Sequence, residues 1–408
     1  MKNIAVIGAG ITGINSAYFL AKKGHKVTVF DSEKYAGMST SFSNGGQISV
    51  CNSETWTNWT NVSRGIKWMF KEDAPLYVRP LPNLFDFSDT ISKYLWLSEF
   101  FYTSLSGKHK SNSEKVFSMA LKSRNLYLKI IEEEKIEFDF LQKGILQFFH
   151  SLKDLEKACS KKEWVESMGV EWEHLTFEQI KELEPTLSHN KSIVGGIYTK
   201  SDATGDIHKY CIELGKVLKN KYQVEFKYDE QVNQIKGADL PIISTNNEEL
   251  IFDKVVISAG VNTEYFKRKF GDKFRIYPVK GYSITIDLDE ESQAFAPFVS
   301  LKDESNKLVC ARLGNRLRVA GTAELDGYNK DIREHRIRPL LDWVHSYFPE
   351  ISTESYLPWT GLRPMTSDMM PVVQASKKKN IFYNSGHGHL GWTLGTYTAK
   401  YLSDVILD

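Results

Sequence analysis

Cysteine is scarce in this chain. Its 408 residues include only Cys51, Cys159, Cys211 and Cys310, and no two of these form a Cys-x-x-Cys pair. Such wide spacing argues against a disulfide scaffold and against a structural zinc site, because both need cysteines that converge in sets. This pattern is typical of a protein that folds in a reducing compartment.

An excess of positive charge is also missing. The chain has 52 lysines and arginines against 51 aspartates and glutamates, which leaves a net charge of +1. No long basic run is present either, so the sequence predicts no nucleic-acid partner.

Long hydrophobic runs are absent as well. The N-terminal stretch IAVIGAGITGI is apolar, but it is too short and too rich in glycine for a secretory signal or a membrane span. A span needs about 18 or more apolar residues in succession. We therefore expect a cytoplasmic protein, at most attached peripherally to the inner face of the cell membrane.

The N-terminal segment has the pattern strand, glycine turn, helix, strand. A buried apolar run over Ile4–Ile7 leads into the fingerprint Gly8-Ala9-Gly10-Ile11-Thr12-Gly13, and the predicted helix that follows ends at Gly24. Val27–Phe30 is the next strand, and Asp31 ends it 18 residues after Gly13. In this context the fingerprint predicts a dinucleotide site. The helix start binds the pyrophosphate, and the aspartate binds the ribose hydroxyls.

The segment after Asp31 favours FAD over NAD. A nicotinamide enzyme normally continues into a helix and a third strand, whereas a flavoprotein needs a loop that runs along the extended pyrophosphate. This chain continues with a dense run of small polar residues and glycines. We assign to the cofactor Ser39, Thr40, Ser41, Asn44, Gly45, Gly46 and Gln47.

Two later turns complete the predicted cofactor site. A buried strand over Val255–Ser258 ends at Ala259 and Gly260. The segment Asn384–Thr393, NSGHGHLGWT, places three glycines where a helix begins. Free N–H groups at a helix start suit the negative charge that reduced flavin carries. We assign to the cofactor Gly386, His387, Gly388, His389, Leu390, Gly391, Trp392 and Thr393.

A metal site is the rival interpretation of His387 and His389. We assign none, because no third ligand accompanies these two histidines. We expect the FAD to be non-covalent, since the nearest residue that could attach it is Cys51, which lies past Gln47 in a predicted loop.

Further elements are predicted between these segments, and part of them form a second, interleaved unit. Aromatic-rich amphipathic stretches cover Ser92–Leu105 and Lys115–Lys135, and a helix is predicted over Asp206–Leu218. Strands are predicted at Gly144–Phe149, Gly195–Thr199, Tyr282–Asp287 (half-buried) and Leu317–Ala320, and as a β pair formed by Val224–Ile235 and Leu250–Val256.

The predicted fold class is α/β. A Rossmann-type FAD-binding domain (residues 1–80, 203–265 and 355–408) is interleaved with an α+β substrate-binding domain (81–202 and 266–354) on a mainly antiparallel sheet.

The motif TGLRPMT frames one arginine, Arg363, between Gly361 and Pro364. Proline pushes the residue before it towards an extended backbone, and glycine permits a close approach. A guanidinium held in this way suits a planar anion, but it also suits a structural salt bridge to a carboxylate. The motif alone leaves both possibilities open.

Taken together, the chain resembles the D-amino acid oxidase superfamily of flavoproteins, and within it the bacterial D-amino acid dehydrogenases. The resemblance covers nearly the whole chain and is carried by VIGAGITG, SNGGQIS, IKWMFKEDAPLYVRP, KGILQFF, DATGDIHKY, YPVKGYSITI, TGLRPMTSDMMPVV and NSGHGHLGWT.

The resemblance implies that Arg363 binds the carboxylate of a D-amino acid. It also suggests Tyr282 as a second contact to the substrate, with a packed strand aromatic as the alternative. The implied reaction transfers a hydride from Cα to flavin N5 and yields a 2-oxo acid and ammonia, with a quinone or another electron-transfer partner as the acceptor. Met369, Gln374 and His389 depart from the usual pattern of these enzymes and leave the natural substrate open.

Two alternative functions remain. One is an oxygen-using oxidase of glycine, sarcosine or a cyclic imino acid. The other is a flavin-bearing assembly or tRNA-modification protein, which would not need Arg363. Aromatic residues are also dense at Trp56, Trp59, Trp68–Phe70, Tyr94–Leu97 and Phe100–Tyr102. They indicate either core packing or a surface that meets the membrane, where electrons pass to quinone.

Overall fold

The computed structural model describes residues 1–68, 75–78 and 87–406. In this part of the chain the strands, in chain order, are β1 (Asn3–Ile7), β2 (Lys26–Phe30), β3 (Gln47–Ile48), β4 (Leu76–Val78), β5 (Ile145–Phe149), β6 (Glu173–Leu175), β7 (Gly195–Thr199), β8 (Ala203–Thr204), β9 (Glu225–Lys227), β10 (Gln234–Lys236), β11 (Ile242–Ser244), β12 (Glu249–Ile251), β13 (Lys254–Ile257), β14 (Ile276–Asp287), β15 (Ser300–Asp303), β16 (Leu308–Leu313), β17 (Arg316–Leu325), β18 (Leu357–Thr366), β19 (Val372–Ala375) and β20 (Ile381–Ser385).

The α-helices of the same residues are α1 (Ile11–Lys22), α2 (Trp59–Trp68), α3 (Phe87–Leu105), α4 (His109–Glu134), α5 (Leu152–Cys159), α6 (Lys162–Glu166), α7 (Phe177–Leu183), α8 (Ile207–Asn220), α9 (Thr263–Phe270), α10 (Glu334–Tyr347) and α11 (Gly391–Val405). The predicted elements near both ends are confirmed, namely β1, α1, β2, β20 and α11. So is the predicted helix α8, where Asp206 caps the first turn by accepting hydrogen bonds from the N–H groups of His208 and Lys209.

One sheet has the order β19-β20-β13-β1-β2-β9, and its strands from β20 to β9 run parallel. In a parallel sheet with helices on its faces, both faces of each strand are buried, which explains the continuous apolar runs of β1 and β13. Helices α1, α8 and α11 pack on this sheet around one core that includes Ile14, Tyr18, Leu214 and Trp392.

The second sheet has nine strands in the order β18-β14-β17-β16-β15-β5-β7-β6, with β4 paired to β17. Only the pairs β15–β5 and β17–β4 are parallel, so the sheet is mainly antiparallel, as predicted. One face of this sheet packs against α10 in a second core that includes Ile284, Val319, Ile337 and Val344.

Two strand predictions are wrong in detail. The predicted pair Val224–Ile235 and Leu250–Val256 does not form. Strands β9 and β13 join the parallel sheet, while β10 and β12 both pair with the intervening β11, which the prediction omitted. Strand β14 is also not half-buried, because α10 covers one of its faces and the segment after β2 covers the other, so that only Asp287 is exposed.

Segments of the two units alternate along the chain, which agrees with the predicted interleaving. Strands β4 and β18 belong to the nine-stranded sheet, although both lie inside segments assigned to the FAD-binding domain. The boundary between residues 80 and 81 lies outside the described residues, and the division at the stated positions stays a prediction. No helix in the described ranges is long and apolar enough to cross a membrane.

Candidate active site

Four parallel strands end at one edge of the first sheet, and the predicted cofactor residues follow them. Asp31 follows β2, Gly8 follows β1, Ala259 and Gly260 follow β13, and Gly386 follows β20. Ligands of doubly wound sheets bind at this carboxyl edge. The fold therefore brings together residues that are separated by hundreds of positions in the sequence.

The turn after β1 requires glycine at two positions. Gly8 has φ of +105° and donates its N–H to the carbonyl of Phe30 at 2.8 Å, and a Cβ there would lie 2.4 Å from the Ser258 carbonyl oxygen. A Cβ on Gly13 would lie 1.8 Å from the carbonyl oxygen of Gly8. These glycines let α1 start directly against the sheet.

The start of α1 forms an open cradle at Gly10. This residue is the N-cap and has no side chain to cap the helix, and a Cβ there would meet only Ser41 Oγ, at 3.5 Å. The Ile11 N–H donates to the same Oγ at 3.2 Å, and Thr12 follows on the partly exposed side. An uncapped helix start with room above its backbone suits a phosphate.

Asp31 lies beside this cradle. Its carboxylate accepts hydrogen bonds from the N–H of Ala9 at 2.5 Å and of Glu33 at 2.9 Å. Burial raises the pKa of Asp31, and both hydrogen bonds oppose that shift. The carboxylate is therefore fixed next to the fingerprint, with oxygens that could also accept ribose hydroxyls.

The segment from Ser39 to Gln47 crosses from the first sheet to the second. The Thr40 hydroxyl donates to the carbonyl of Leu362 at 2.7 Å. The Gln47 amide donates to Ser300 Oγ at 2.8 Å. Ser39 is exposed. The predicted loop is thus present, and it connects the nucleotide cradle to the sheet that carries Arg363.

Three residues in the middle of this segment lie on the nine-stranded sheet. Arg318 donates to the backbone carbonyl of Asn44 at 3.1 Å. A Cβ on Gly45 would lie 2.4 Å from Val309 Cγ2, and Gly46 has φ of +71°. The backbone therefore passes close to β16 and β17, with no side chain in between.

The segment after β20 presents mainly its backbone. Gly386 and Gly388 have φ of +73° and +58°, and a single 3-10 turn leads into α11. His387 Nε2 meets Thr398 Oγ1 at 2.8 Å. Leu390 and Trp392 pack in buried cores. The side chains of these three residues thus point away from the sheet edge.

Thr393 and Gly391 hold the start of α11 in place. Thr393 Oγ1 accepts a weak hydrogen bond from the Ser49 N–H at 3.4 Å. A Cβ on Gly391 would lie 3.6 Å from Ile11 Cγ2. The starts of α1 and α11 are therefore neighbours at the same edge.

Arg363 lies on β18, on the face of the nine-stranded sheet that meets Ser39–Gln47, which we call the cofactor segment. Its guanidinium donates to the carbonyls of Thr322 at 2.9 Å and Gly321 at 3.4 Å. No described carboxylate forms an ion pair with it within 4.0 Å. Burial lowers the pKa of Arg363 to about 10, so it stays charged at neutral pH. A half-buried cation without a carboxylate partner argues for an anionic ligand, and against the salt-bridge alternative.

Gly281, on the neighbouring strand, makes room for this guanidinium. A Cβ at that position would lie 2.2 Å from an Arg363 Nη. The sequence prediction missed Gly281, although a glycine inside a strand often marks a close approach.

Tyr282, which the sequence prediction assigned to the substrate, lies on the opposite face of β14. Its ring is buried in the α10 core, and its hydroxyl donates to Glu324 Oε2 at 2.7 Å. Side chains alternate along a strand, so residues 281 and 282 face opposite ways. The structure therefore separates Tyr282 from Arg363 and favours the alternative, a packed strand aromatic.

A stacked aromatic pair forms another part of the site. The His389 ring lies 4.2 Å from the Trp56 ring, with an interplanar angle of 24°. Burial lowers the pKa of His389 to about 3, and the charges of Arg363 and Lys302 add to that shift. The imidazole is therefore neutral at pH 7. Lys302, which the sequence prediction missed, lies in SLKD, a segment with no motif to mark it.

The sequence matches the DAO family, described as FAD dependent oxidoreductase, over residues 3–405. The chain belongs to this family. FAD-dependent oxidoreductase activity is thus its general chemistry, and the fingerprint, the open helix start and the small-residue segment fit the cofactor. No group of three or more metal-ligating side chains lies within the described part of the chain.

Two curated relatives of this DAO-family chain carry the name D-amino acid dehydrogenase. D-amino acid dehydrogenase 3 of Mesorhizobium japonicum is 43% identical, covering 100% of this chain and 97% of that protein. D-amino acid dehydrogenase of Dechloromonas aromatica is 36% identical, covering 99% and 96%. Among solved structures, glycine oxidase from Bacillus cereus has a TM-score of 0.75 at 19% identity, covering 100% and 95%, which confirms the fold class.

Proposed function

We propose that this protein oxidises D-amino acids to 2-oxo acids and ammonia and passes the electrons to a quinone or another acceptor other than oxygen. The observation that carries the proposal is Arg363, a charged guanidinium without a described carboxylate partner, facing the segment that connects to the nucleotide cradle. The names of the 43% and 36% identical relatives support the same substrate class.

In the proposed mechanism Arg363 binds the substrate carboxylate through two parallel N–H donors and so fixes the position of Cα. When bound, FAD would supply the acceptor for the hydride of Cα. The N–H groups of the Gly386–Gly391 segment and the start of α11 would favour negative charge on the bound cofactor. We assign no side-chain base, because a substrate with a neutral amine already has the electron pair that the imine needs.

Anaerobic mixing of the purified holoenzyme with matched D- and L-amino acids tests this function. We expect D-amino acids, and not their L-enantiomers, to bleach the flavin absorbance, and a quinone to restore it faster than oxygen does. Bleaching by L-amino acids only, or by none of them, would contradict the proposal. Restoration by oxygen at the quinone rate would instead favour the oxidase alternative.

We further propose that FAD is held without a covalent bond. Burial raises the pKa of the Cys51 thiol to about 12, so this thiol is protonated at neutral pH and is a poor nucleophile. Acid precipitation of the holoenzyme should therefore release all of the yellow colour into the supernatant. Colour that stays with the pellet after washing in denaturant would show a covalent link.

Helix α3 supports the proposed membrane contact. Its large apolar side chains divide between two faces. Trp96 and Phe100 pack inward. The exposed ones recur at helical spacing on the other face, namely Ile91, Tyr94, Leu95, Phe101, Tyr102 and Leu105. Exposed lysines Lys108 and Lys110 follow the helix. An apolar face beside basic residues suits an anionic lipid surface. Of the other residues in the predicted aromatic-rich segments, Met69 and Phe70 lie outside the described residues.

Replacing Leu105, which is 57% exposed, by glutamate should reduce binding to anionic vesicles, because it places a negative charge on the proposed contact face. Leu240→Glu is the control, since Leu240 is 49% exposed and lies on the loop between β10 and β11. Co-sedimentation with vesicles containing phosphatidylglycerol measures the effect. If the unmodified protein stays in the supernatant, or if both variants sediment as it does, α3 is not a membrane contact.

A further inference from the structure

Arg363 shares its face of the nine-stranded sheet with a second cation, Lys302 on β15. The preceding residue, Leu301, packs in the α10 core, and Ser300 meets the Gln47 amide on the other face. Alternation along the strand directs Lys302 to the same face as Ser300. Its register partner Val309 confirms this orientation, because Val309 lies against Gly45 of the cofactor segment.

The strands that position the two cations are separated by about the length of a small substrate. Arg363 donates to backbone carbonyls of β17, and Lys302 lies on β15, two strands away across β16. Neighbouring strands are about 4.8 Å apart, so these backbones are about 10 Å apart. A lysine side chain is long enough to reach back across part of that gap.

His389 supplies a polar atom without a hydrogen-bond partner among the described residues. Its ring stacks on Trp56, and this atom, Nδ1, is buried. A buried ring nitrogen that makes no hydrogen bond is costly, and a polar ligand would remove that cost. Asn52 adds a further polar side chain here, since its Oδ1 accepts a hydrogen bond from Lys302 at 2.5 Å.

The carboxylates near Lys302 also have other partners. Glu304 lies 3.4 Å from Lys302, and it also pairs with Lys307 and accepts a hydrogen bond from Gln147. Glu54 pairs with Lys161 at 2.7 Å and with His109 at 2.9 Å. Glu304 is therefore shared between two lysines, Lys302 and Lys307.

We propose that Lys302 and His389 bind a carboxylate on the side chain of the substrate, so that the enzyme prefers acidic D-amino acids. This inference rests on the proposed function, in which Arg363 holds the α-carboxylate. Lys302 would supply the charge, and His389 a neutral N–H donor that stacking on Trp56 keeps in place. Lys302 is specificity-determining and is not needed for the oxidation itself.

Matched substrates isolate the second carboxylate. D-glutamate and D-norvaline have side chains with the same carbon chain and differ in the two oxygens of that carboxylate, and D-glutamine keeps the shape of D-glutamate without the charge. We expect kcat/KM of the unmodified enzyme for D-glutamate to exceed the values for D-norvaline and D-glutamine at least tenfold. Equal values, or a preference for D-norvaline, would overturn the proposal.

Variants assign the preference to Lys302. Lys302→Met should lower kcat/KM for D-glutamate at least tenfold and leave that for D-norvaline within about twofold. Lys200→Met is the control, because it removes an exposed lysine on the turn between β7 and β8 and should keep the preference. An equal loss on both substrates in Lys302→Met would show a structural lysine.

A binding measurement separates this inference from the proposed function. Titration calorimetry of the holoenzyme should show tighter binding of glutarate than of pentanoate, and Lys302→Met should abolish the difference. If Lys302→Met does not fold, Lys302→Gln is the second variant, with flavin content and circular dichroism as its folding checks. Flavin bleaching by D-glutamate that does not depend on Lys302 would overturn only the inference, whereas no bleaching by any D-amino acid would overturn the function.

Discussion

Arg363→Ala should lower kcat/KM on a D-amino acid by about 30- to 5,000-fold, while the protein stays yellow. The variant removes a two-donor pair to a desolvated carboxylate, and such a loss costs about 2–5 kcal/mol, with about 1.4 kcal/mol for each factor of ten. Flavin content should hold, because the nucleotide cradle at Gly8–Gly13 and the turn at Gly386–Gly391 do not include Arg363. Steady-state kinetics and the flavin-to-protein absorbance ratio measure the two effects.

Arg363→Lys should recover only part of the loss, because lysine keeps the charge but not the fork of two N–H donors. Arg312→Ala is the matched control, since Arg312 lies on β16 of the same sheet and donates to Gln293 instead. Near-normal kcat/KM in Arg363→Ala would mean that the guanidinium serves only to hold the backbone of β17 in place.

Gly10→Ala should yield a folded protein that binds FAD poorly. Gly10 has φ of −71°, which alanine adopts freely, and the added Cβ would meet only Ser41 Oγ at 3.5 Å. The fold therefore tolerates the methyl group. The methyl group nevertheless occupies the space through which the pyrophosphate approaches the start of α1. We expect most of the flavin to be lost on purification, with little change in circular dichroism.

Gly13→Ala should fail in a different way. Its Cβ would lie 1.8 Å from the Gly8 carbonyl oxygen, so α1 and β1 must separate and the fold itself is destabilised. Gly215→Ala on α8 is the control, because the nearest atom to its Cβ is 3.9 Å away, and it should keep both FAD and stability. Thermal unfolding combined with flavin content distinguishes the three variants. Full flavin content in Gly10→Ala would show that the phosphates do not contact this turn.

The sequence by itself determined the elements whose signals are local. Gly8, Gly10 and Gly13 between an apolar run and a helix predict a nucleotide turn, since each glycine has a steric role within one short segment. The framing of Arg363 by Gly361 and Pro364 is local in the same sense, and so are the start of α8 at Asp206 and the glycine-rich entry to α11. The match of these segments to the family explains why fold class and general chemistry were predicted correctly.

Only the tertiary structure decided what depends on strand register and on pairing across the chain. The sequence could not show which of Gly281 and Tyr282 faces Arg363. Side chains alternate between the two faces of a strand, but which face meets Arg363 is known only once β14 is placed between α10 and the cofactor segment. It could not place β9 and β13 in one sheet, since their partners β2 and β1 lie more than 190 residues earlier. It gave no sign of Lys302, which shares a face of the sheet with Arg363 only because β15 lies two strands from β17, whose carbonyls Arg363 contacts, and because its side chain faces the cofactor segment. A local signal in the sequence can identify a residue as functional, but which residues meet in a site depends on the long-range packing of the two sheets.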